Sequence, residues 1–230
     1  TNRFSYSFND PVNKFDPGGN EVYSDKDEEL SEDQKDTMKK DFQNARDSLD
    51  KRISELNSVL KNGEIAKTVD EVQAVKDVAR SLGVTVSDLT AKQIKTAMVD
   101  MQKVRRTIGE YGEGVVVRYR GTNAAAGVPD HYAAQASGGH GKNASMEIFG
   151  HYFSLKDQTK AYALTHEMGH NTLNLSDRVP DKVVVDYGLR GSPAGGGKQH
   201  VYGWKSVDAA VAEGIRINDA FVCSVGFDAC

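Results

Sequence analysis

Cysteine is almost missing from this chain: two residues in 230, Cys223 and Cys230. That excludes a disulfide framework and an all-cysteine zinc site. The two lie close enough near the C-terminus to close one short loop in an oxidising compartment. No stretch approaches the ~20 consecutive apolar residues of a membrane-spanning helix. Thr1 opens a polar segment, so no signal peptide is expected within these residues. Basic residues are not in excess: 29 Lys and Arg stand against 33 Asp and Glu, a net charge of −4. A nucleic-acid binder that works by neutralising phosphates is therefore disfavoured. No internal repeat and no long linker is visible. What remains is an ordinary soluble composition, 38% hydrophobic and 27% charged, in a chain long enough for a real core.

The hydrophobic pattern changes period along the chain. Residues 1–20 are rich in Asn, Asp, Pro and Gly and read as turns and extended backbone. From Ser31, Met38, Phe42, Ala45, Leu49, Ile53, Leu56 and Leu60 recur every three or four residues. That spacing predicts one amphipathic helix, stopped by Asn62-Gly63. Val69, Val72, Val75, Val78 and Leu82 form a second stripe, ended by Gly83. Ser87 is the expected cap of a third helix, which carries Leu89, Ile94, Met98, Met101, Val104 and Ile108. Beyond Gly109, 115–120 and 146–155 read as strands, with a Gly/Ala/Ser-rich loop between them. Residues 157–172 read as a helix, 188–198 as a glycine-rich loop and 206–220 as a last helix. The expected class is α+β: a helical first half packed on a small sheet, followed by an active-site helix.

The chemistry is concentrated in Thr165-His166-Glu167-Met168-Gly169-His170. Side chains at i and i+4 share a helix face, so His166 and His170 can grip one tetrahedral Zn²⁺. Glu167 projects beside them, where it can take a proton from an attacking water and pass it to a leaving amine. This is the His-Glu-x-x-His pattern of zinc metallopeptidases. A match by chance is expected in roughly 1% of chains of this composition.

A catalytic zinc needs a third protein ligand and an open position. Downstream, Asp177, Asp181, Asp186, His200 and Glu213 are the candidates. Ser176 stands six residues after His170, where a metzincin would place its third histidine. His131, His140 and His151 read as structural or substrate-side. The run Gly191–Gly197 lacks the Lys-Ser/Thr of a phosphate loop and reads as a mobile lip of the cleft.

Two resemblances extend this reading. Lys198-Gln199-His200-Val201-Tyr202-Gly203-Trp204, with the later Asn218-Asp219-Ala220-Phe221, resembles the end of the aspzincin (deuterolysin-like) peptidases. Those pair His-Glu-x-x-His with Gly-Thr-x-Asp-x-x-Tyr-Gly and then an Asn-Ala-Asp-aromatic run. The likeness covers roughly residues 145–225. Here Gln199 occupies the Asp position and Gly196-Gly197 replaces Gly-Thr. His200, one residue on, is the better metal ligand and becomes the expected third one. Tyr202 matches the family tyrosine, which implies a hydrogen bond to the oxyanion of a tetrahedral adduct.

At the other end, Pro11 followed by Asp16-Pro17-Gly18-Gly19 is similar to the close of the Rhs repeat-associated core, Pro-x-x-x-x-Asp-Pro-x-Gly-Leu. Asn20 replaces its leucine, so the self-cleavage usual at that point is not carried over. In Rhs proteins a variable C-terminal toxin follows this segment. The resemblance implies residues 1–20 as the end of an Rhs-like core and 21–230 as a toxin, helical over 31–108 and catalytic over 109–230. It further implies a secreted effector delivered into a competing bacterium by type VI secretion, and a cognate immunity protein in the producer. A cell-wall amidase and an inactive binding module with a vestigial motif are the alternatives.

Overall fold

Ser31 starts the first long helix by a reciprocal cap. Its Oγ accepts from the Gln34 amide, and the Gln34 side chain accepts from the Ser31 amide. Helix α1 (Glu32–Ser58) follows, in a computed structural model that describes residues 14–15, 22–24, 30–66, 72–82, 84–109, 115–138, 144–175, 178–180, 191–193, 198–201 and 218–227. The expected stripe is buried at Met38, Phe42, Ala45, Leu49 and Leu56. Asn62-Gly63 does not cap this helix. Both residues take positive φ, 52° and 82°, and they form the tight turn between β3 (Leu60–Lys61) and β4 (Glu64–Ile65). Asn-Gly suits that mirror-image hairpin turn for the same reason it suits a helix end, which is why the pair reads as a helix stop.

Helix α2 spans Val72–Ser81 and α3 spans Ala91–Gly109. The cap of α3 is Thr90, not Ser87. The Thr90 Oγ1 accepts from the Gln93 amide, and the Gln93 side chain accepts from the Thr90 amide. Ser87 instead sits in a turn whose hydroxyl meets that of Thr85.

The chain forms two compact units, and each draws on both the 31–108 and the 109–230 stretches. The first, residues 1–47 and 103–174, contains a five-stranded sheet of order β1-β2-β5-β7-β6. Its strands are β1 (Lys14–Phe15), β2 (Val22–Ser24), β5 (Val116–Tyr119), β6 (Ala134–Gly138) and β7 (Ala144–Ile148). The pairs β2–β5 and β5–β7 are parallel, whereas β1–β2 and β6–β7 are antiparallel. After β5 the chain passes through the short α4 (Asn123–Ala126) to the sheet edge as β6. It then turns back as β7, inside it. Met38, Phe42, Val104, Ile108, Val117, Met146, Ile148, Leu164 and Met168 fill this core, each 1% exposed or less.

Two expectations fail in this region. Ala134–Gly138, read as loop, is the edge strand. Residues 150–154, read as the end of a strand, form a 3₁₀ turn, Gly150–Ser154. A Cβ on Gly150 would lie 3.1 Å from the Thr122 backbone, a close approach that favours glycine there.

Asn123 sews these connections together. Its Nδ2 donates to the carbonyls of Pro129 (2.8 Å) and Tyr132 (2.7 Å), and its Oδ1 accepts from the His151 amide (2.9 Å). Asn123→Ala removes all three bonds at a buried point and is expected to destabilise the protein by about 2–4 kcal/mol. Urea unfolding of the variant against wild type measures it.

The second unit, residues 48–102 and 175–228, holds α2, the β3–β4 hairpin, a three-stranded sheet and α6 (Asn218–Val225). The sheet runs β8 (Arg178–Pro180), β10 (Lys198–Val201), β9 (Gly191–Pro193), all antiparallel. Most of the expected loop 188–198 and helix 206–220 lies outside the described residues. The described helix starts at Asn218 and runs five residues past the expected end. Gly226 follows it with φ 91°, and a Cβ there would lie 2.6 Å from the Arg52 guanidinium, which donates to the Val225 carbonyl. Cys223 is disulfide-bonded, and the chain has one other cysteine, Cys230. Cys230 lies outside the described residues.

Among the described residues no helix is long and apolar enough to cross a membrane.

Candidate metal centre

The site is built on α5, Asp157–Leu173. Ala161, Leu164, Thr165 and Met168 are buried along one side of the helix, which lies against β6 and β7. Asn171, also buried, donates from Nδ2 to the Ser145 carbonyl of β7 at 2.8 Å. Asn174 closes the helix in the left-handed conformation, its amide bonded to the His170 carbonyl. The helix is thus tied to the sheet within one turn of His170, and its rotation about its own axis is fixed.

That rotation leaves His166 and His170 half-buried on one face. Their ring centroids are 4.8 Å apart with the planes at 84°, and the two Nε2 atoms converge to 3.2 Å. Two nitrogens bound to one tetrahedral zinc at 2.0–2.1 Å stand about 3.3 Å apart. The separation of this pair therefore fits a shared ion. The chemistry fits as well, since imidazole Nε2 is a common zinc donor.

Glu167 lies one residue round the helix and points elsewhere. Its carboxylate accepts a hydrogen bond from the Ala136 amide, on the edge strand β6. That bond anchors the Glu167 carboxylate to the edge strand, one residue round the helix from the imidazole pair. Ser145 links the two strands next to that amide. Its hydroxyl donates to the Ser137 carbonyl at 2.6 Å and meets the Ser137 hydroxyl at 3.0 Å.

Two contributors escape a reading of the sequence alone. Tyr162, four residues before His166, stacks on its imidazole with centroids 5.9 Å apart and planes at 24°. Its i−4 position was the available signal. Ala136 gave none, because its backbone does the work.

The remaining expected residues are distributed as follows. His200 lies on β10, opposite Arg178 and Ser192, in the second compact unit, and its side chain is outside the described residues. Tyr202, Asp177, Asp181, Asp186, Glu213 and His140 also lie outside them. Among the described residues, no group of three His, Cys, Asp or Glu forms a ligand set. The His151 amide is held by Asn123, and its Nδ1 lies 3.2 Å from the Ser154 hydroxyl. His131 is exposed and packs its ring against Tyr132.

No family model, no curated protein and no solved structure matches the chain.

Proposed function

We propose that the chain is a zinc-dependent metalloendopeptidase with a zincin-like catalytic half, acting as the C-terminal toxin of an Rhs-type effector. The observation that carries the reading is the 3.2 Å convergence of the His166 and His170 Nε2 atoms, with the Glu167 carboxylate beside them on the edge strand. His166 and His170 hold Zn²⁺, and His200 is the third ligand. When bound, Zn²⁺ polarises the scissile carbonyl and makes water acidic enough to be deprotonated near neutral pH.

The chain's own residues do the rest. Glu167 takes the proton of the attacking water and returns it to the leaving amine. Tyr202 donates a hydrogen bond to the oxyanion of the tetrahedral adduct. Tyr162 and Asn171 keep His166 and the helix in orientation.

Support for the effector role comes from residues 11–19 and their likeness to the end of an Rhs core. On that reading the protein is secreted into a competing bacterium, its substrate is a protein or peptide, and its producer carries an immunity protein.

Incubating the zinc-loaded protein with an unfolded protein and, separately, with muropeptides tests the activity. Cleavage of the protein, abolished by a zinc chelator, is expected. Cleavage confined to muropeptides would make the chain an amidase, and cleavage of neither would overturn the enzyme. In the same assay His200→Ala should lose most zinc and most activity, whereas Gln199→Ala and Asp186→Ala should keep both. If His200→Ala keeps tight zinc, the third ligand is another residue.

A further inference from the structure

Away from the histidines, the N-terminal half of α5 meets α1 through a buried carboxylate. Asp41 on α1 is 0% exposed. Its Oδ2 accepts from the Tyr152 hydroxyl at 3.1 Å and lies 3.9 Å from the Lys160 ammonium, itself buried. Its Oδ1 is buried with no hydrogen-bond partner. Lys160 is shared: its Nζ also lies 3.5 Å from Asp157, whose other oxygen binds Lys40 at 2.7 Å near the surface. A carboxylate this deep normally has its lone pairs satisfied and its countercharge in contact. Here one oxygen is orphaned and the lysine stands back.

We propose that Asp41, Tyr152 and Lys160 form a proton-sensitive latch between α1 and the helix carrying His166, Glu167 and His170, tight when Asp41 is neutral and looser when it is ionised. Lys160 sits six residues before His166 on the same helix, so any change in its seat is passed along α5 towards the imidazoles. The latch depends only on the packing of α1 and Tyr152 on α5, and it stands whether or not the helix binds metal.

The charged and titratable groups facing Asp41 are Lys160 and Asp157 from α5, Tyr152 from the 3₁₀ turn and Lys40 from its own helix. Burial raises Asp41 most. Lys160, the Tyr152 hydrogen bond and Lys40 oppose this, while the like charge of Asp157 adds to it, and the carboxyl ends at about 6. An unfolded chain releases this proton near 3.8. Between those values the folded protein holds a proton that the unfolded chain has lost. Stability therefore falls as pH rises through that window and levels off above it.

Asp41→Asn keeps the shape and the acceptor for Tyr152 but cannot titrate. Urea midpoints of wild type and variant are compared with chelator present, in steps from about pH 4.5 to about pH 7.5. Groups common to both proteins, the histidines included, cancel in the difference. Wild type should lose stability relative to the variant as pH rises, with the difference levelling above about pH 7. The first turns of α5 should lose hydrogen-exchange protection over the same range in wild type alone. A difference independent of pH overturns the proposal. Should the variant not fold, the carboxyl carbons of wild type are titrated by NMR. One aspartate with a midpoint near 6 that moves in Tyr152→Phe supports the latch. No aspartate titrating above about 5, or one indifferent to Tyr152→Phe, overturns it.

Discussion

Replacing either His166 or His170 by alanine should lower zinc affinity at least about a hundredfold, and replacing both should leave the dialysed protein without zinc. Loss of an outer partner that merely orients a ligand already costs 10–100-fold, so loss of the ligand itself must cost more. The fold should survive. Both rings are half-buried on the side of α5 away from Leu164 and Met168, which stay in the core. Ala136, Ser145 and Asn171 still tie the helix to the sheet. Metal analysis with circular dichroism separates the two effects. Full zinc occupancy in the double variant would show that these histidines form a simple ring pair.

Glu167→Gln should do the opposite: keep the zinc and lose the chemistry. The amide retains an acceptor for the Ala136 N–H, so β6 keeps its position, but it cannot accept and return a proton. General acid–base groups contribute about 10²–10⁴-fold, and a loss within that range is expected in peptide cleavage. Killing of a susceptible bacterium on expression should be lost with it. A variant that lost its zinc would make Glu167 a ligand. One that kept full cleavage would leave the proton transfer to another group.

Legibility in the sequence followed the source of each element's stability. Helix α1 was readable because its burial is carried by side chains, Met38, Phe42, Leu49 and Leu56, at a helical period. Helix α5 was readable from the spacing of Ala161, Leu164, Thr165 and Met168, and His166 and His170 came with it. The cap of α3 was misplaced by three residues because Ser87 and Thr90 carry the same hydroxyl chemistry. Only the glutamine three residues after Thr90 distinguishes them. Strand β6 was not readable at all. Ala134-Gln135-Ala136-Ser137-Gly138 contains no β-branched or aromatic residue, and it is a strand because β7 offers it a partner. The part of the site contributed by a backbone amide was therefore hidden, although the part contributed by imidazole and carboxylate stood in plain view. Phe149 to Leu155 failed for a related reason: an apolar run reads alike as strand or turn, and here Gly150–Ser154 form a 3₁₀ turn packed closely on the Thr122 backbone.

The most direct test of the central claim is X-ray absorption at the zinc edge of the stoichiometrically loaded protein. The account predicts a four-coordinate first shell of nitrogen and oxygen at about 2.0–2.1 Å, with the outer-shell scattering of three imidazoles. A protein that retains no zinc after dialysis, or a loaded site whose spectrum lacks imidazole, would contradict it.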